Sequence, residues 1–383
     1  MLLQLLYSVD SREKCKYKMM IDISKIFRYI LTYLLIPLTL LSLSAFTGCS
    51  SIYHFTPPNE PDKLKPLLVF GQRGKTQERF QLIDAIVIDK DSYIYVGDQS
   101  GMIHKISPGG RFLSKIGRKG RGDGEFADEV KGIAIDSEER LIAVDKYNFR
   151  VQVFDLDGNF IFNFGSHGAE PGHFLGPEGI AVDSAGRIYV TDHIKLTVQI
   201  FDRNGAFIKE FGGKPDRFFS MRKMHHIDKA VMGLQDGRFY GIESIAWYDG
   251  MLYVAEEDHG RIQVFTDEGD FLGIIGNQGV GKGYFHDEVE GIVINSEGFI
   301  FAVDEGKEAT GVIEIFDPRG RSVYHFKSDL PLESPDGIAL DEKLGRIYVT
   351  DQNNYRVQAF DLNEIRSKIQ HGSELQKKRE KFE

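Results

Sequence analysis

Cysteine is almost missing from this chain: there are two in 383 residues, Cys15 and Cys49, and both precede the part that reads as globular. Disulfide scaffolding and thiol chemistry are therefore excluded from the folded region. Basic charge is in deficit too. Lys and Arg number 47 against 57 Asp and Glu, a formal charge of −10, so the basic face that nonspecific nucleic-acid binding requires is not available. Helical periodicity is absent before residue 363. Proline is scarce at 12 residues while glycine reaches 41, which implies many tight turns. What is present is a globular composition, 42% hydrophobic and 27% charged, with length enough for one large domain or two ordinary ones.

Only one long apolar run occurs. Tyr29 to Gly48 is uncharged and follows Lys25 and Arg28, a basic segment, an apolar segment and small residues before a cysteine. "FTGC" at 46–49 resembles a bacterial lipobox, which implies acylation of Cys49 as the mature N-terminus, although Phe46 replaces the usual Leu. The first 18 residues fit no signal pattern, so translation starting at Met19 or Met20 is one expectation. The alternative to lipidation is an uncleaved transmembrane helix, since roughly 20 apolar residues just span a bilayer. Either way the chain is expected at a membrane with its remainder outside the cytoplasm. Residues 1–48 then form a targeting segment, 49–64 a polar tether, 65–362 the folded body and 363–383 a charged, solvated tail that frays or forms a short helix.

The body is repetitive. "KGIAIDSEERLIAVDKYNFRVQVFDLDGNFIFNFG" at 131–165 aligns with "EGIAVDSAGRIYVTDHIKLTVQIFDRNGAFIKEFG" at 178–212 and "ESIAWYDGMLYVAEEDHGRIQVFTDEGDFLGIIG" at 243–276. Further copies begin at Asp84, Glu290 and Asp336, and the second residues are Ala85, Gly132, Gly179, Ser244, Gly291 and Gly337. Each unit reads as four short antiparallel strands, and a period near 47 residues points to propeller blades. The fold class is therefore all-β: a six-bladed β-propeller. The last copy stops at "RVQAFDL" (356–362), and its missing fourth strand is supplied by "PLLVFGQRG" (66–74), so both ends share one blade. Phe80, Phe126, Phe174, Phe239 and Phe285 precede the inner strands and are expected between blades. Over 66–362 these units resemble NHL repeats.

Inner strands face the propeller axis, so the residues before the small one, Asp84, Lys131, Glu178, Glu243, Glu290 and Asp336, are expected at the channel mouth. Crowded acids raise one another's pKa unless a cation sits among them. Lys131 is one such cation, and a hard ion such as calcium suits carboxylates without His or Cys. "IESIAWYDGMLYVAEED", "DEVEGIVINSEGFIFAVDEGKEATG" and "SPDGIALDEKLGRIYVTD" resemble blades of β-propeller phytases. That resemblance implies calcium ligation by Glu243, Glu257, Glu288, Glu290 and Asp336 and a calcium-dependent phosphomonoesterase. It departs in the first blade, where Gln99 and Ser100 replace the phosphate-gripping lysine pair. The leading expectation is a module that binds a protein partner or small ligand at the channel face; the phosphoesterase and a gluconolactonase-like metal hydrolase are rivals.

Other repeated residues read as framework. Asp98, Asp145, Asp192, Asp304 and Asp351 end second strands and suit turn capping, and Arg150, Arg261 and Arg356 recur on third strands. Trp247, the single tryptophan, reads as core. An insertion at 213–241 is basic and aromatic, and its Arg222 and Lys223 are expected to overhang the mouth as a lid or partner loop.

Overall fold

The computed structural model describes residues 60–74, 79–214, 236–257, 259–286, 288–306 and 311–379. Cys49, the apolar run before it, Arg222 and Lys223 lie outside the described residues. Among those described, no helix is long and apolar enough to cross a membrane.

Six sheets, each with four antiparallel strands, surround a central axis; four are built from consecutive strands alone, one gains a strand from the N-terminal side and the sixth joins both chain ends. The second strands are buried along nearly their whole length, and Ile94–Asp98 and Ile188–Asp192 entirely, because blades stack face to face. The outer strands, such as Phe160–Phe164, alternate between covered and open positions. Asx turns set the hairpins. Asp155 Oδ1 accepts from the amides of Asp157 (3.0 Å) and Asn159 (2.8 Å), and Gly158 supplies the required φ of 92°.

Leu68–Phe70 pairs antiparallel with Arg356–Asp361, matching Leu68 to Ala359 and Phe70 to Val357, so the ring closes with strands from both ends of the chain. Five phenylalanines act as plugs between blades. Phe80, Phe126, Phe174, Phe239 and Phe285 are all fully buried, and Phe126 packs with Ile103 and Ile116 of blade 1 and Phe154 of blade 2. Blade 6 puts Leu332 in the corresponding place, 1% exposed.

Three expectations need correction. The end of the supposed tether, Asp62–Leu64, is a fifth strand parallel to Ser322–Ser328 of blade 5. It covers an edge that would otherwise present unpaired backbone groups. The tail takes the helical alternative, Leu362–Arg379, but it is docked rather than solvated, with Leu362 and Ile365 fully buried against the cluster containing Phe326 and Phe360. Leu362, Ile365 and Ile369 share one face of that helix, which is enough to dock it. Trp247 is only half-buried, packed against the cluster between blades 3 and 4.

Candidate functional site at the channel mouth

The six inner strands lean together so closely that most lack room for a side chain at the second repeat position. A Cβ on Gly132 would stand 2.3 Å from the carbonyl oxygen of Glu178, and one on Gly291 2.3 Å from that of Asp336. This approach brings Asp84, Lys131, Glu178, Glu243, Glu290 and Asp336 around one cavity of about 100 Å³. The same six strands contribute an isoleucine collar to its lining: Ile86, Ile133, Ile180, Ile245, Ile292 and Ile338. The charges thus sit over apolar walls, where their mutual interactions are strong.

Lys131 reaches across the ring. Its Nζ donates to Asp336 Oδ2 at 3.0 Å and lies 3.7 Å from Glu243 and 3.9 Å from Asp84. Burial alone would lower its pKa, but Asp336, Glu243, Asp84 and Glu290 hold it well above the usual lysine range. The reverse holds for the acids. Burial pushes Asp84 and Glu243 well above the ordinary carboxylate range despite Lys131. Glu290 is raised by burial and then by Asp336. Glu178 is the exception: against its burial, the Glu243 carboxyl, Lys131 and Lys146 bring it down to about 2.

A second set of side chains meets the first ring, and of these the sequence reading had placed only Glu257 at the site. The residue after each second-strand acid runs Gln99, Lys146, His193, Glu257, Glu305 and Gln352, and the last five meet the groups of the mouth. Lys146 Nζ lies 2.7 Å from Glu178 Oε1, and Gln352 Nε2 donates to Asp84 Oδ1 at 2.7 Å. His193 Nδ1 stands 3.6 Å from both Glu243 and Glu257. Glu305 joins Glu288 and Glu290, with one oxygen of each within 4.8 Å of the others. The available signal was positional, since these six residues share one repeat register while differing in type. On the rim, Tyr147 and Ile194 are 52% and 53% exposed, each directly following a mouth residue.

The five residues that the phytase resemblance placed on calcium therefore divide. Asp336 and Glu243 face Lys131, and Glu257 faces His193, whereas Glu288 and Glu290 face Glu305. The last group brings three carboxylates together and fits a hard cation. The lysines at the mouth, Lys131 and Lys146, each contact carboxylates, so no anion clamp is formed by the described residues there.

Residues 332–360 match the family model described as NHL repeat, and residues 137–210 match one described as 6-bladed beta-propeller. The chain is a six-bladed propeller that carries an NHL repeat at residues 332–360. Among curated proteins, the chain is 50% identical over 46 residues to Protein lin-41 of Caenorhabditis elegans, covering 12% of this chain and 4% of that protein. It is 36% identical over 63 residues to Protein brain tumor of Drosophila melanogaster, covering 16% and 6%. The NHL propeller thus spans only a small fraction of either relative's length. Solved structures similar to it include that of U3-55K, with a TM-score of 0.50 and 17% identity over 75% of this chain and 78% of that one. The nidogen/laminin complex gives a TM-score of 0.51 and 17% identity over 71% and 89%. At these identities the likeness establishes the fold alone.

Proposed function

We propose that this NHL propeller is a binding module, held at a membrane outside the cytoplasm through the segment ending at Cys49, that takes a protein partner or small ligand at the channel mouth. The observation that carries the binding reading is the mouth itself: two sets of charged and polar side chains over an isoleucine collar, flanked by the exposed Tyr147 and Ile194. Aromatic and aliphatic anchors beside a charged well are what a partner surface needs for affinity and register. In this proposal the module holds calcium at Glu288, Glu290 and Glu305, where the ion neutralises crowded carboxylates and offers a partner a coordination position. A phosphoesterase activity lacks support at the same mouth, because Lys131 and Lys146 already contact carboxylates.

Melting of the full chain tests the calcium component. A ligand that binds only the native state stabilises it by about 2.7 kcal/mol at 100 times its Kd. Millimolar calcium should raise the Tm of the wild type and leave that of Glu305→Gln unmoved; a calcium-insensitive wild type would remove the ion from the proposal. Covalent capture of partners in the native membrane fraction tests the docking component. Tyr147→Ser combined with Ile194→Ser should abolish the captured species without lowering Tm, and undiminished capture would move the docking face elsewhere.

A further inference from the structure

We infer that Glu178, His193 and Glu243, with Glu257 beside them, form a first-row transition-metal site between blades 3 and 4, separate from the all-carboxylate group on blade 5. One ligand atom from each of Glu178, His193 and Glu243 lies within 4.8 Å of the others. Imidazole together with carboxylates selects zinc, manganese, iron or cobalt over calcium. His193 Nδ1 stands 3.6 Å from Glu243 Oε1 and 3.6 Å from Glu257 Oε2. Bond lengths of about 2.1 Å around a tetrahedral ion give an edge of roughly 3.4 Å, so small rotamer adjustments close the gap.

The lysines turn this cluster into a built site. Lys146 takes Glu178 Oε1 at 2.7 Å, which leaves Oε2 buried without a hydrogen-bond partner on a residue only 4% exposed. Lys131 stands 3.7 Å from Glu243 Oε2, while the other oxygen, Oε1, is the one near His193. His193 Nδ1 is likewise buried without a hydrogen-bond partner. Each carboxylate is thus held through one oxygen by a lysine, which leaves Glu178 Oε2 without a hydrogen bond and Glu243 Oε1 beside His193, an arrangement by which outer partners position metal ligands. A proton on Glu243 can satisfy one of these atoms, whereas a divalent ion satisfies them together.

Cobalt(II) titration of the full chain, followed by visible absorption and by zinc(II) competition, tests the inference. The wild type should bind one cobalt with ligand-field bands of a low-coordinate nitrogen and oxygen site, and zinc should displace it. His193→Ala, at a side chain 31% exposed, should keep its circular dichroism and lose the bands. Glu178→Gln, which preserves shape, should weaken binding similarly, and Lys146→Met should weaken it roughly 10-fold, the lower range for an outer partner. A wild type that gives no bands, or a His193→Ala or Glu178→Gln protein that binds cobalt with unchanged spectrum and affinity, would overturn the site.

Discussion

Two neighbouring positions of the repeat behave in opposite ways. The acid that ends each second strand is kept in all six blades, as Asp98, Asp145, Asp192, Glu256, Asp304 and Asp351, and every one is buried. The next residue runs Gln99, Lys146, His193, Glu257, Glu305 and Gln352. The kept acid is a latch. Asp145 accepts from the Ala127 amide and from Arg150 Nε at 2.9 Å, and Arg150 and Gln152 also donate to the carbonyl of Glu125, so the connection entering the blade is tied to its middle strands. The varied residue has no partner common to all blades, and in five of them it meets the groups of the shared mouth. Constancy across blades therefore marks the framework, and variation in one register marks the surface that distinguishes this propeller.

That contrast can be broken most forcefully at the latch. Asp145→Ala leaves the Arg150 guanidinium, on a side chain 11% exposed, without its carboxylate. Urea unfolding should show a loss of about 3 kcal/mol, the lower range for breaking a buried pair. A mouth substitution such as Glu305→Gln should stay within about 0.5 kcal/mol. Equal losses at the two positions would erase the distinction between framework and mouth.

The inner-strand glycines give a smaller effect. Gly132→Ala places a Cβ 2.3 Å from a carbonyl oxygen of the next blade, and such overpacking costs typically about 1–3 kcal/mol. The Ala85 and Ser244 positions already carry a Cβ, and Ser244 Oγ accepts from the Ile292 amide at 3.3 Å. A thermal melt of Gly132→Ala as stable as wild type would show that the ring is not closed by tight approach at that interface.

Acid titration sharpens the comparison with the least expected effect. Asp98 is buried, which alone would raise its pKa, yet His104, Ser100 and the Gln81 amide hold it below the ordinary value of 3.8. A carboxyl depressed on folding adds stability above its unfolded pKa, and that stability is lost as pH falls through the folded value. Unfolding midpoints should therefore drop on acidification below about pH 4, and Asp98→Asn should flatten this part of the profile. A profile identical in the variant would remove Asp98 from the latch.

How much of this was visible in the sequence follows from the same contrast. Repetition displayed the blades, the shared closing blade, the phenylalanine plugs and the first mouth ring, because each recurs at a fixed register. Asp62–Leu64 was hidden because its partner strand lies more than 250 residues away in sequence and three residues carry no period of their own. The docking of the C-terminal helix was hidden because only Leu362, Ile365 and Ile369 mark its face amid many charges. His193 and Glu305 were hidden behind the latch acids that precede them, since a register in which residue type varies gives no motif to match.

Hydrogen–deuterium exchange of the full chain with and without calcium tests most directly whether the varied mouth, and not the constant framework, meets ligand. The account predicts slowed exchange confined to the backbone around Glu288, Glu290 and Glu305, with the latch and outer strands unchanged. Slowing spread over the outer strands, or none anywhere at saturating calcium, would contradict it.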